Sequence, residues 1–240
     1  MLYLAIIDKP LYSLIFFAVA FGFKAQAIFL APWVAVLLLL KRIHIKDIFI
    51  IPIIFVLMIT PVVFAGRSYQ ELFTIYFGQF GSYTRLSMNA PNMYIFFPEE
   101  LYKPLLSATL IISAVFILIS ILVFAYSQNR GGKKGLLSLA VFYLFFIPFI
   151  LPKMHDRYFF PAAVFAIPLA VIKPRTAWLA LSLQVSSLLA FIPFLTETAI
   201  TWPVKIGALI NTAALAVYAI VLLMRSEEHT SELQSPYVIS

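Results

Sequence analysis

The chain has 240 residues, 63% of them hydrophobic and only 11% charged, with a formal net charge of +7. So few polar residues cannot cover a water-soluble domain of this size, whereas a surface facing lipid does not need them. The composition excludes a soluble globular protein, and the lack of cysteine excludes disulfide and thiolate chemistry and leaves the redox compartment unread.

In chain order, MLYLAIIDKP (Met1 to Pro10) opens apolar, with no basic stretch of a cleavable signal. An intact inner-membrane protein begins this way, and so does a piece cut inside a helix. Apolar runs follow at 11–23, 26–40, 48–65, 105–126, 136–151, 158–172, 176–194 and 204–224. Crossing the hydrocarbon takes roughly 20 helical residues. Runs 48–65, 105–126 and 204–224 reach or nearly reach that length, 176–194 is close, and the others are short. Short helices in pairs predict hairpins beside a thinned or water-filled region. The alternative merges 11–40 into one long, kinked helix and leaves Lys24 and Gln26 in hydrocarbon, at several kcal/mol unless they are paired. The expected fold is all-α, a polytopic transmembrane bundle of about seven to eight helices over residues 1–224, several of them short or broken.

Basic residues orient the spans. KRIHIK (Lys41 to Lys46), NRGGKK (Asn129 to Lys134) and KPR (Lys173 to Arg175) fall on one side if the spans alternate, and the positive-inside rule makes that side cytoplasmic. The outer side then holds Lys24 and Gln26, the segment 66–104, the charged turn Lys153 to Arg157 and the loop 195–203.

Within 66–104, Tyr69, Leu72, Phe73, Tyr76, Phe77 and Phe80 recur at spacings of three and four. That spacing predicts an amphipathic helix lying along the membrane surface with an aromatic face. Next, Asn89-Ala90-Pro91-Asn92 is a turn sequence pressed between apolar segments. It reads equally as a plain re-entrant turn or as the lining of a cavity, with Asn89, Pro91 and Asn92 as the lining residues. MHDR (Met154 to Arg157), preceded by Lys153, concentrates charge of both signs between two apolar runs. The bland reading is an interfacial turn with snorkelling basic ends. The last stretch, RSEEHTSELQS (Arg225 to Ser235), turns abruptly polar and looks like a translated sequencing adapter. Residues 225–240 are therefore expected to be a non-native, disordered tail, and the natural protein to continue beyond Met224.

FGFKAQAIFLAPW (Phe21 to Trp33), LSMNAPNMY (Leu86 to Tyr94) and MHDRYFFPA (Met154 to Ala162), in this order, resemble bacterial GT-C glycosyltransferases. They are similar to relatives of the mannosyltransferase that adds the second mannose of glycosylphosphatidylinositol anchors. The resemblance covers most of residues 10–172. It implies a multi-pass protein of the bacterial inner (plasma) membrane. Such an enzyme moves a sugar, mannose in the nearest relatives, from a polyprenyl-phosphate sugar to an acceptor at the outer face. The family's catalytic acid lies in a first outer loop that nothing here matches, so it is expected in upstream sequence and this chain alone is expected to be inactive.

The implied partners are the lipid-linked sugar and the bilayer, with no nucleic acid. No cofactor or metal-ligand set is legible, and a divalent metal in the full-length enzyme is left open. For a lipid-phosphate donor, Lys24, Gln26, His155 and Arg157 are the candidate phosphate-binding residues. Arginine forks onto phosphate oxygens and lysine acts as a point charge. Asp156 would pair with Arg157 or orient His155. No P-loop, HExxH or G-x-S-x-G pattern is present. The competing class is a non-enzymatic transporter or flippase of lipid-linked sugars, although no internal repeat supports it. A polymerase or ligase acting on lipid-linked sugars through another fold is a third reading.

Overall fold

The structure, a computed structural model, describes residues 1–72, 74, 83–128 and 133–233. Its helices are α1 (Leu2–Ile6), α2 (Pro10–Phe23), α3 (Ala31–Leu39), α4 (Ile50–Phe64), α5 (Tyr102–Gln128), α6 (Lys133–Ile150), α7 (Phe160–Ile172), α8 (Ala177–Leu195) and α9 (Trp202–Leu233). Each predicted apolar run is helical within a few residues of its expected ends, because a helix pairs its own backbone where lipid cannot. Prolines sit in the first turn of α2, α3 and α7, where the missing N–H costs nothing. The only strands among the described residues are β1 (Ser87–Met88) and β2 (Met154–His155).

Four stretches are long and apolar enough to cross a membrane: Ile45–Phe64, Glu99–Ser127, Pro174–Leu195 and Trp202–Met224. Pro10–Phe23, Ala25–Leu39 and Gly135–Ile150 are apolar but shorter. The run 11–40 is not one kinked helix. Lys24 is extended (φ −152°, ψ 120°) and ends α2, and a 3₁₀ turn, Ala25–Leu30, then leads into α3. The break puts Lys24 at a helix end, where a charge is far cheaper than inside a span.

The core centres on α6, whose Leu136, Leu139, Ala140, Val141, Tyr143 and Phe145 are fully buried. Helices α3, α5, α7 and α9 pack around it. By contrast α5 presents Ile111, Ile112, Val115, Phe116, Leu118 and Leu122 on its outside, an apolar stripe that suits lipid and not water.

Two ends of the bundle are distinguished by polar ties. At one end the Lys173 ammonium donates to Ser138 Oγ (2.7 Å) and the Tyr218 hydroxyl to the Ser138 carbonyl (2.8 Å), joining the start of α6 to the end of α7 and to α9. The opposite end carries Lys24, segment 83–101 and residues 151–157. Lys173 and the three quoted motifs therefore lie at opposite ends of the bundle.

Some expectations fall on undescribed residues. The backbone of 69–72 and 74 is helical, but Phe73, Tyr76, Phe77 and Phe80 of the expected aromatic face lie outside the described residues, as does 129–132 of the NRGGKK loop. Helix α9 continues as helix to Leu233, past the start of the adapter-like tail, and 234–240 lie outside the described residues.

Candidate functional site

A two-residue parallel ladder joins two of the motifs. Ser87 of β1 lies opposite Met154 of β2, and Met88 opposite His155. Just before the ladder the Lys153 N–H donates to the Leu86 carbonyl at 2.7 Å, and just after it Asn89 bridges to His155. Both flanking residues are left-handed, Asn89 at φ 55° and Lys153 at φ 62°. Asparagine adopts that region readily. For lysine it costs roughly 1–3 kcal/mol, which the surrounding structure has to offset.

So short a ladder is not stable alone, and α6 and α9 supply its support. The last carbonyls of α6 have no partner within the helix. Asn92 Nδ2 donates to the carbonyls of Pro148 (3.2 Å) and Leu151 (3.4 Å), and its Oδ1 accepts the Tyr94 N–H (3.1 Å). The Tyr94 hydroxyl (2.9 Å) and Ser113 Oγ (2.6 Å) both donate to the Ile150 carbonyl. From the other side, Asn211 Nδ2 on α9 donates to the Pro91 carbonyl at 2.8 Å. Pro91 also lies close to Gly207, where an added Cβ would come within 3.3 Å of the Pro91 ring. The turn therefore dips into the bundle between α6 and α9.

These contacts sort the predicted cavity-lining residues. Asn92 is wholly buried, and both ends of its amide are taken by protein groups. Pro91 is buried against α9. Only Asn89 of the three is exposed. The turn is thus a re-entrant plug with one exposed corner.

The third motif arrives through Tyr158. The Gln26 amide faces the Tyr158 hydroxyl, and the Phe29 ring meets the Tyr158 ring edge-on at 5.8 Å. Lys24, two residues earlier, is exposed at the end of α2. On the other side of Tyr158 stands His155, at 5.3 Å between ring centroids, and beyond it Tyr83 at 4.8 Å. Lys153 Nζ lies 5.6 Å from the centre of the Tyr102 ring.

Burial lowers the His155 pKa, the Arg157 charge lowers it further, and Asp156 opposes both. The imidazole is therefore neutral at neutral pH and contributes a hydrogen bond, not a charge. Burial likewise raises the Tyr158 pKa, so its phenol keeps its proton. Lys24, Lys153 and Arg157 are cations at this end of the three motifs, as is Arg85, whose Nε lies 3.1 Å from Glu99 Oε1.

Asp156 does not pair with the Arg157 guanidinium, since no ion pair joins them within 4 Å among the described residues. Its Oδ1 accepts the Arg157 backbone N–H at 2.7 Å, at the start of the 3₁₀ turn Asp156–Phe159. Among the described residues no hydrogen bond joins it to His155, and its charge raises the His155 pKa against the larger lowering effects. Arg157 is left exposed, with its fork of donors in no ion pair among the described residues.

Spacing did not reveal Tyr83, Tyr94, Tyr158 or Asn211. Tyr94 and Tyr158 stand inside quoted motifs, and a rule that buried phenols seek partners singles them out. Asn211 is the one asparagine inside the last long apolar run, which is itself a signal in a membrane segment. No three His, Asp or Glu side chains among the described residues converge as metal ligands. No protein-family model, curated protein or solved structure matches the chain.

Proposed function

We propose that the chain is membrane-domain sequence of a GT-C-type glycosyltransferase of the bacterial inner membrane, with seven to eight crossings counting the short helices. The enzyme transfers a sugar, mannose in the nearest resemblance, from a polyprenyl-phosphate sugar to an acceptor at the outer face. The observation that carries this reading is the ladder between Ser87–Met88 and Met154–His155, with Gln26 reaching Tyr158 beside it. Three stretches far apart in the chain meet at one end of the bundle, and they are the three that carry the resemblance.

The chemistry follows from charge. A polyprenyl-phosphate sugar presents one negative charge at the membrane surface. As the bond between the sugar carbon and the phosphate oxygen breaks, a second develops on the leaving phosphate. Arg157 offers two parallel N–H donors to those oxygens and Lys24 a point charge, fixed in place before the reaction. Neutral His155 and Gln26 add hydrogen bonds without adding charge. The strained Lys153 backbone beside the ladder is the kind of local cost that functional sites carry.

Binding tests this without catalysis. In nanodiscs, the chain should bind undecaprenyl-phosphate mannose, and Arg157→Ala and Lys24→Ala should each weaken it by about tenfold or more, since charge-assisted contacts are worth ~1.5–3 kcal/mol. Parent-level affinity in both variants would remove the phosphate site.

A further inference from the structure

We infer that the Tyr83 ring, backed by the rings of His155 and Tyr158, is the platform on which the pyranose of the lipid-linked donor stacks, next to its phosphate on Arg157. The inference rests on the phosphate reading above and adds what recognises the sugar. The three rings form a continuous row: Tyr83 to His155 is 4.8 Å at 86°, and His155 to Tyr158 is 5.3 Å at 68°. The Tyr83 ring packs near-perpendicular to His155, and the residue remains 47% exposed. The ring is held in position. The Tyr102 hydroxyl donates to the Tyr83 carbonyl at 3.2 Å, and Tyr102 itself lies under Lys153.

A pyranose has an apolar face of C–H groups and a rim of hydroxyls. An open aromatic face suits the first, and amide and imidazole groups that hydrogen-bond suit the second. Asn89, exposed and bridged to His155, stands at the middle of the row, and Gln26, facing Tyr158, at one end of it. Arg157 follows His155 by two residues, so phosphate and sugar subsites adjoin as they do in a glycosyl phosphate. A neutral His155 fits this role better than a charged one, because an uncharged ring is less costly to desolvate under a sugar.

The test compares two lipids on one protein. Nanodisc-embedded chain is titrated with undecaprenyl phosphate and with undecaprenyl-phosphate mannose. The parent should prefer the mannosyl lipid. Tyr83→Ala should weaken the mannosyl lipid by about fivefold, the scale of one aromatic contact, and leave the bare lipid unchanged. Tyr83→Phe should bind both as the parent does. Arg157→Ala should weaken both lipids together. Equal loss of both lipids in Tyr83→Ala would make the ring only a prop for the ladder and overturn the platform. A parent that binds the two lipids equally would also overturn it while the phosphate site stands. A parent that binds neither would end both readings.

Discussion

Met88 and His155 are partners in a parallel ladder although two long helices, α5 and α6, lie between them in the chain. Parallel strands need a connection that returns the chain to its starting end. Here α5 leads away from the ladder end of the bundle and α6 leads back. The pairing therefore fixes the NAPN turn and the MHDR turn on the same face whatever the orientation of the whole bundle.

A cysteine-free chain makes this pairing directly testable. Ser87→Cys combined with Met154→Cys should form a disulfide on mild oxidation, because residues in register across a ladder lie within disulfide reach. Ser87→Cys combined with Ile45→Cys, at the opposite end, should not. Loss of free thiols is the readout, and reduced thiols in the first pair after oxidation would place the motifs apart.

Two substitutions in the plug should differ in cost. Asn92→Leu removes the donor to the Pro148 and Leu151 carbonyls and the acceptor of the Tyr94 N–H, all in a buried place. Each buried group left unpaired costs about 1–3 kcal/mol, so the loss should be several kcal/mol. Tyr94→Phe removes one donor to the Ile150 carbonyl, which Ser113 still serves at 2.6 Å. That change should cost only about 0.5–1.5 kcal/mol. Thermal unfolding in detergent ranks the two, and equal midpoints would contradict the capping role of Asn92.

The sequence made the helices and the grouping of motifs legible, and the reasons are physical. Apolar runs must be helical in lipid, so 48–65, 105–126 and 204–224 could be read almost to their ends. The break at Lys24 was legible too, because a lysine inside hydrocarbon is costly. What could not be read was the use of each polar group inside the site. Asn92 and Asn89 look alike in NAPN, yet one caps α6 and the other is exposed. That distinction depends on which end of the turn meets α6, a long-range fact that local spacing does not hold. Of the two roles read for Asp156, pairing with Arg157 or orienting His155, no ion pair with Arg157 forms within 4 Å among the described residues, and its Oδ1 takes the Arg157 backbone N–H instead.

Stability should depend on pH through His155. Its folded pKa lies below the ordinary histidine value, chiefly through burial and then through Arg157, with Asp156 opposing and the Tyr83 and Tyr158 rings beside it. The unfolded chain, with an ordinary histidine pKa of about 6.5, then binds protons more readily. This contribution is fully present above about pH 6.5 and is lost as the pH falls from there towards the lowered folded value. The unfolding midpoint of the parent should drop between pH 7 and 5, and that of His155→Gln should drop less. Parallel curves would mean that His155 is not held neutral by the fold.

The most direct test of the central claim, that the three motifs form one lipid-phosphate site at the outer end, is photolabelling. A polyprenyl phosphate with a diazirine close to its headgroup is crosslinked to the chain in nanodiscs, and the labelled peptides are mapped. The account predicts label on both 83–90 and 153–158, competed away by undecaprenyl-phosphate mannose and reduced in Arg157→Ala. Label confined to the lipid-facing side of α5, or to residues near Lys173 at the opposite end, and unaffected by competitor, would contradict it.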